Sequence, residues 1–131
     1  MPAEYLIDRT LGVVFSRAWG ALTNADLLEH QRRLGQDPEF EPSLHQLFDF
    51  EDVTDVKVTA LGIRVLAQRT LFGAGARRAF TVSPGAMAMY GLMRMFQILT
   101  SEHPDELRVH FDHINGARRW LGIPDADGTA G

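Results

Sequence analysis

From Thr23 to Gly122 the sequence alternates between segments of helical periodicity and short apolar runs of strand length, and this constrains the fold more than any other feature. Strands joined by helix-length connections pair in parallel, with right-handed crossovers that lay the helices against the sheet. Two strand-type runs precede the alternation. Glu4-Tyr5-Leu6-Ile7-Asp8 is apolar in the middle and charged at both ends, and Thr10-Leu11-Gly12 supplies a turn. Val13 to Trp19 follows, with Val13, Phe15, Arg17 and Trp19 on one face by the period of two. So short a connection predicts an antiparallel hairpin.

Thr23 is a good helix N-cap, with Asp26 near capping-box spacing, and the first helix turns Leu27, Leu28, Gln31 and Leu34 to the core before Gly35. Pro38 and Pro42 disfavour regular structure ahead of a third strand, Leu44 to Phe50. A second helix opens at Thr59, carries Ile63, Val65, Leu66 and Ala67, and ends near Phe72-Gly73-Ala74-Gly75. Arg78 to Val82 is the fourth strand, and Ser83-Pro84 caps a third helix from about Gly85 to Thr100. His103-Pro104-Asp105 breaks the chain before a fifth strand, Leu107 to Phe111; Asp112 caps a last helix that ends at Gly122. The predicted order is ββαβαβαβα: an α/β domain with a mainly parallel, five-stranded mixed sheet and an N-terminal β-hairpin. Residues 1–124 are expected to form this one domain, with 125–131 a flexible tail that lacks large apolar side chains.

Composition removes several classes of function. The chain has 131 residues, enough to bury roughly two-thirds of its unfolded surface in one core. It has no cysteine, so neither a disulfide framework nor a thiolate site is expected, and a reducing, cytoplasmic setting fits. A formal charge of −4 argues against nucleic acid as a partner. No run of about 18 apolar residues exists, so no transmembrane segment is expected.

The stretch Phe48-Asp49-Phe50-Glu51-Asp52-Val53-Thr54, followed by Thr59-Ala60-Leu61-Gly62, together with the element order, resembles the STAS family of anti-sigma-factor antagonists. The second half, with its Ala76-Arg77-Arg78-Ala79-Phe80 strand and closing Ala117-Arg118-Arg119-Trp120-Leu121-Gly122, is similar to the STAS-like branch grouped with lipid-binding CRAL-TRIO domains. The resemblance implies a regulatory or binding module, and it places Thr59 on the family's phospho-acceptor position. Lys57 and Val58 depart there from the family's acidic residue and first serine. A phosphate on Thr59 would sit at the positive end of a helix dipole; equally, a threonine there is accounted for by N-capping alone.

The polar clusters do not assemble into a recognisable chemistry. Glu102-His103 and His110-Phe111-Asp112-His113 lack a spacing that converges on one metal ion, and no metal or other cofactor is expected. Asp49, Glu51 and Asp52 lie where parallel sheets hold their ligands, but read as solvated turn residues without a paired base; no catalytic residue is assigned. Phe72 to Arg78 offers glycine-loop amides and two arginines to an anion, or is simply a helix stop and a turn. The third helix is the most informative segment. Met89, Leu92, Met93, Phe96 and Leu99 form its expected core stripe, while Met87, Gly91, Met95 and Ile98, with Tyr90 and Arg94 beside them, mark a second apolar flank. That flank predicts an external contact: a homodimer, a regulatory protein partner or, alternatively, a lipid-like or other apolar small ligand. The sequence therefore reads as a non-enzymatic binding or regulatory module, with a phospho-switch at Thr59 as a further alternative.

Overall fold

The computed structural model describes residues 2–100, 106–110 and 114–126. Strands β1 (Ala3–Asp8) and β2 (Val13–Thr23) are followed by helix α1 (Asn24–Gln36) and strand β3 (His45–Lys57). Helix α2 (Ala60–Gln68), strand β4 (Arg78–Thr81), helix α3 (Met87–Thr100), strand β5 (Leu107–His110) and helix α4 (Ile114–Trp120) complete the order. The α/β class, the hairpin and the five-stranded mixed sheet are as predicted. The sheet runs β1-β2-β3-β4-β5, with β1 antiparallel to β2 and every later neighbour parallel.

This order fixes where the helices lie. Each parallel strand is added on the same side of its predecessor, so right-handed crossovers carry α1, α2 and α3 to a single face. There Leu27, Ile63, Leu66, Met89, Met93 and Phe96 bury against Phe48, Phe50 and Phe80 of the sheet. The last helix follows the last strand and takes the opposite face, where Ala117 and Leu121 cover Val13, Leu47 and Ala79. One arrangement follows from the other.

Local chemistry sets the corners. In the β1–β2 turn the Leu11 N–H donates to Asp8 Oδ1 and the Gly12 N–H to the Asp8 carbonyl, both at 2.9 Å. Gly12 has φ +72°, a conformation a side chain disfavours. At the start of α1 the capping box is complete: the Asp26 N–H donates to Thr23 Oγ1 at 3.2 Å, and the Thr23 N–H to Asp26 Oδ2 at 2.9 Å.

Several boundaries differ from expectation. Strand β2 continues past Trp19 to Thr23 and β3 past Phe50 to Lys57, because the two tails pair with each other from Gly20↔Val53 to Thr23↔Lys57. Asp49, Glu51 and Asp52 are thus strand residues, not turn residues. Helix α1 passes through Gly35 to Gln36 and ends where Asp37 turns extended ahead of Pro38. Helix α3 begins at Met87: Gly85 has φ +87°, which no helix accommodates, so Ser83 does not cap it. Within α3 the buried residues are Met89, Met93 and Phe96, whereas Leu92 is half-buried and Leu99 is 47% exposed instead of lying in the core. On α1, His30 joins Leu27 and Leu34 as a buried residue, while Gln31 is only half-buried.

Candidate functional site

The outer flank of α3 is open. Met87 is 65% and Ile98 72% exposed, and Gly91 and Arg94 lie exposed between them. A Cβ placed on Gly91 would meet nothing within 4 Å. Of the other flank candidates, Tyr90 and Met95 are half-buried and pack against the main core. The stripe is therefore narrower than the sequence suggests, centred on Met87, Gly91 and Ile98, with the Arg94 guanidinium donating to Gln97 on the same helix.

At the start of α2, Thr59 is an exposed N-cap whose Oγ1 accepts from the Gly62 N–H at 3.2 Å. Asn24, the first residue of α1, locks this corner: its Nδ2 donates to Thr59 Oγ1 at 2.9 Å, and its Oδ1 accepts from the Thr59 N–H at 3.0 Å. The acceptor position implied by the family resemblance is thus a hydroxyl already holding two donors.

The carboxylates of β3 are dispersed into separate contacts. Asp49 Oδ1 accepts from Thr81 Oγ1 and from the Glu51 N–H, each at 2.9 Å. Asp52 pairs with Arg17 at 3.1 Å, and Arg17 also stacks over Trp19. Among the described residues, no histidine or lysine is hydrogen-bonded to Asp49 or Asp52. No group of three or more His, Asp or Glu side chains among the described residues is arranged to hold a metal. The predicted cluster of Glu102, His103, Asp112 and His113, and the His110 side chain, lies outside the described residues.

The glycine loop after α2 does not form an anion cradle. The Gly73 N–H donates to the Pro42 carbonyl at 2.9 Å, the Gly75 N–H to Glu106 at 3.0 Å and the Arg77 N–H to His45 Nδ1 at 2.8 Å. Its two arginines part company at the strand. Arg77 crosses to α4, where it sits over the Trp120 ring at 5.5 Å and donates to the Trp120 carbonyl at 3.1 Å. Arg78 turns under the helices.

Beneath α1, α2 and α3 runs a polar chain that sequence reasoning missed. Arg78 Nε and Nη2 both donate to Gln46 Oε1, at 3.1 and 3.0 Å. Gln46 Nε2 donates to Ser16 Oγ at 3.1 Å, and Ser16 Oγ lies 2.9 Å from His30 Nε2. Ser16, His30 and Gln46 are buried. Desolvation, with the nearby Arg78 charge, pushes His30 down to about 4, so its ring is neutral at physiological pH. Desolvation alone pushes Arg78 down to about 9, and it stays protonated. The guanidinium lies 4.6 Å from the centre of the Phe72 ring, 4.9 Å from Phe96 and 5.4 Å from Phe80. The only sequence signal for this chain was the presence of polar residues at inward strand positions.

Comparison of the chain with protein-family models, with curated proteins and with solved structures finds no match. No helix among the described residues is long and apolar enough to cross a membrane.

Proposed function

We propose that this chain is a non-enzymatic binding module of STAS-like class that works through the outer flank of α3, pairing there with a second copy of itself. The observation that carries the reading is the exposed stripe Met87, Gly91, Ile98 on a helix whose opposite side is fully committed to the core. Large apolar side chains at both ends and a bare glycine between them make a self-complementary surface. Two such helices crossing at Gly91 would each seat a Met87 and an Ile98 against the other. The patch is small: two large apolar side chains, 65% and 72% exposed, on either side of a glycine. An interface of that size falls below the standard range, so the association is weak and concentration-dependent. The sheet order and the strand–helix junction from Asp49 to Gly62 support the STAS-like class. The separation of the β3 carboxylates into structural contacts supports a role without catalysis.

Sedimentation velocity across the micromolar range tests the proposal. A dimer fraction that rises with concentration, and is abolished by Ile98→Glu without loss of helical signal, is the expected result. A single monomeric species at every concentration would refute it.

A further inference from the structure

The polar chain under the helices opens onto a cavity of about 50 Å³ between α1, α2, α3 and the sheet. Most of its wall is apolar, contributed by residues such as Leu27, Phe50, Ile63, Leu66, Met93 and Phe96. The polar side chains on that wall are His30, Gln31, Gln46 and Arg78. Gln31, Leu71, Phe72 and Arg78 are the lining residues that keep partial exposure, so the mouth lies between α1 and the loop after α2.

The hydrogen bonds along this wall leave donors in excess. Arginine carries five N–H groups and no acceptor. Two go to Gln46 Oε1, and a third reaches Thr70 Oγ1 only at the 3.5 Å limit. Because arginine only donates, the Gln46 oxygen must face it and the Gln46 amide must face Ser16. Ser16 Oγ then receives a hydrogen from Gln46, and His30 Nε2 is the acceptor in reach for its own. Gln46 Oε1, Ser16 Oγ and His30 Nε2 are thus engaged within the chain, while guanidinium N–H groups remain. Among the described residues no ion pair within 4.0 Å involves Arg78. Glu106 shares a neighbouring cleft with Arg78, but its Oε1 is turned to the Gly75 N–H. Three phenylalanine rings and one amide oxygen are the guanidinium's main surroundings. A cation so placed recruits an anion.

We infer that the cleft beneath α1, α2 and α3 binds a small molecule with a single carboxylate on an apolar body, the carboxylate accepting from Arg78 and the body lying along the apolar wall. One cation balances one negative charge, whereas a dianion such as a phosphate monoester would bring a second charge into the same apolar surroundings uncompensated. The planar guanidinium fork matches a planar carboxylate. Size limits the rest. The enclosed space is about a third of the ~150 Å³ void that takes up a benzene ring, so it holds the head group and a few carbons. A longer body leaves through the mouth past Leu71 and Phe72. This site is separate from the outer flank of α3, and either can fail without the other.

Octanoate and octan-1-ol share a chain and differ in the head group, so titrating both against the full-length protein by calorimetry isolates the carboxylate. Octanoate is expected to bind roughly ten- to hundredfold more tightly than octanol, the range a charge-assisted hydrogen bond contributes. Arg78→Met keeps an apolar side chain of similar length and should reduce octanoate to the affinity of octanol while leaving octanol unchanged. Should that variant fail to fold, the Arg78 side-chain Nε–H resonance of the unmodified protein serves instead, and it must shift and saturate with octanoate but not with octanol. Equal affinity for the two probes, no binding of either at millimolar concentration, or an unmoved Arg78 resonance would each overturn the inference.

Discussion

Gly62 is the position where a single methyl group most sharply tests the packing of the α1–α2 corner. A Cβ built there falls 2.0 Å from Asn24 Oδ1 and 2.3 Å from Asn24 Cγ, a separation no real contact tolerates. Gly62→Ala must therefore evict the Asn24 side chain, and with it both hydrogen bonds to Thr59. Each such bond contributes about 0.5–1.5 kcal/mol net, and because this corner is exposed the lower half applies, giving about 1–2 kcal/mol for the pair. Alanine repays about 0.5–1 kcal/mol of helix propensity in α2. The expected net loss for Gly62→Ala is about 1 kcal/mol, or about 4 °C in Tm for a domain of this size. The sign reverses when the obstacle is removed. In an Asn24→Ala background the same Gly62→Ala change should stabilise by about 0.5–1 kcal/mol, so the coupling between the two positions is about 1–2 kcal/mol. Urea unfolding followed by far-UV circular dichroism on the four proteins of the cycle measures this. A Gly62→Ala cost that is the same with and without Asn24 would refute the steric account of this glycine.

Three further outcomes follow from the same geometry. Thr59→Ala removes the α2 cap and Asn24's partner, and should cost about 1–2 kcal/mol in the same unfolding assay; a neutral result would mean the cap carries no weight. A Cβ at Gly91 meets nothing within 4 Å, so Gly91→Leu should leave Tm unchanged or raised while weakening the dimer in sedimentation; a destabilised monomer would contradict the open flank. Acidification should unfold the protein through His30: the unfolded ring takes up a proton below about 6.5 but the native ring only near 4, so stability falls as pH drops through that window, by about 2 kcal/mol at about pH 5. His45, also held down by desolvation and by Arg77, adds to the slope, so the measurement compares the parent with His30→Leu between about pH 7 and 5, and equal slopes would show that His30 is not buried neutral.

The fold was legible because its elements follow the two periodicities that burial imposes. Helix–strand alternation implied the parallel pairing of β2 to β5. Boundaries were lost where pairing overrides composition. From Asp49 to Lys57 the sequence carries four acidic residues and a lysine (Asp49, Glu51, Asp52, Asp55 and Lys57), which reads as turn; yet the segment is held extended by β2, with register shifts at Arg17/Trp19 and Gly20/Ala21 absorbing the mismatch. Leu99 failed for a different reason. It follows Ile98 at the last turn of α3, where the core stripe has passed to Phe96 and the Thr100 hydroxyl turns back to the Phe96 carbonyl at 2.8 Å.

The candidate sites differ in legibility for a physical reason. The outer flank of α3 depends only on the helix's own period, and Met87, Gly91 and Ile98 could be placed from spacing alone. The Arg78 cleft depends on which way a strand faces, and a one-residue change of register would exchange its two arginines. In the pairing observed, Gln46↔Arg78 and Leu47↔Ala79 put Arg78 on the helix side with Gln46, while Arg77 is left outside for Trp120. Nothing in the sequence around Arg77-Arg78 distinguishes the buried cation from the exposed one. Only the partners assembled from β2, α1 and β3 do so: Ser16, His30 and Gln46 stand within one hydrogen-bonded chain although 30 residues separate the first from the last. Because that chain ends on a cation and not on a carboxylate, the core has kept a donor surplus that well-packed hydrophobic residues would have avoided. Arg78→Met in the ligand-free protein should then cost little, because relief of the guanidinium's desolvation offsets the two hydrogen bonds that Gln46 Oε1 loses. A loss of several kcal/mol on that substitution would instead show that the ring contacts and Gln46 fully satisfy the guanidinium, leaving no surplus for a ligand to meet.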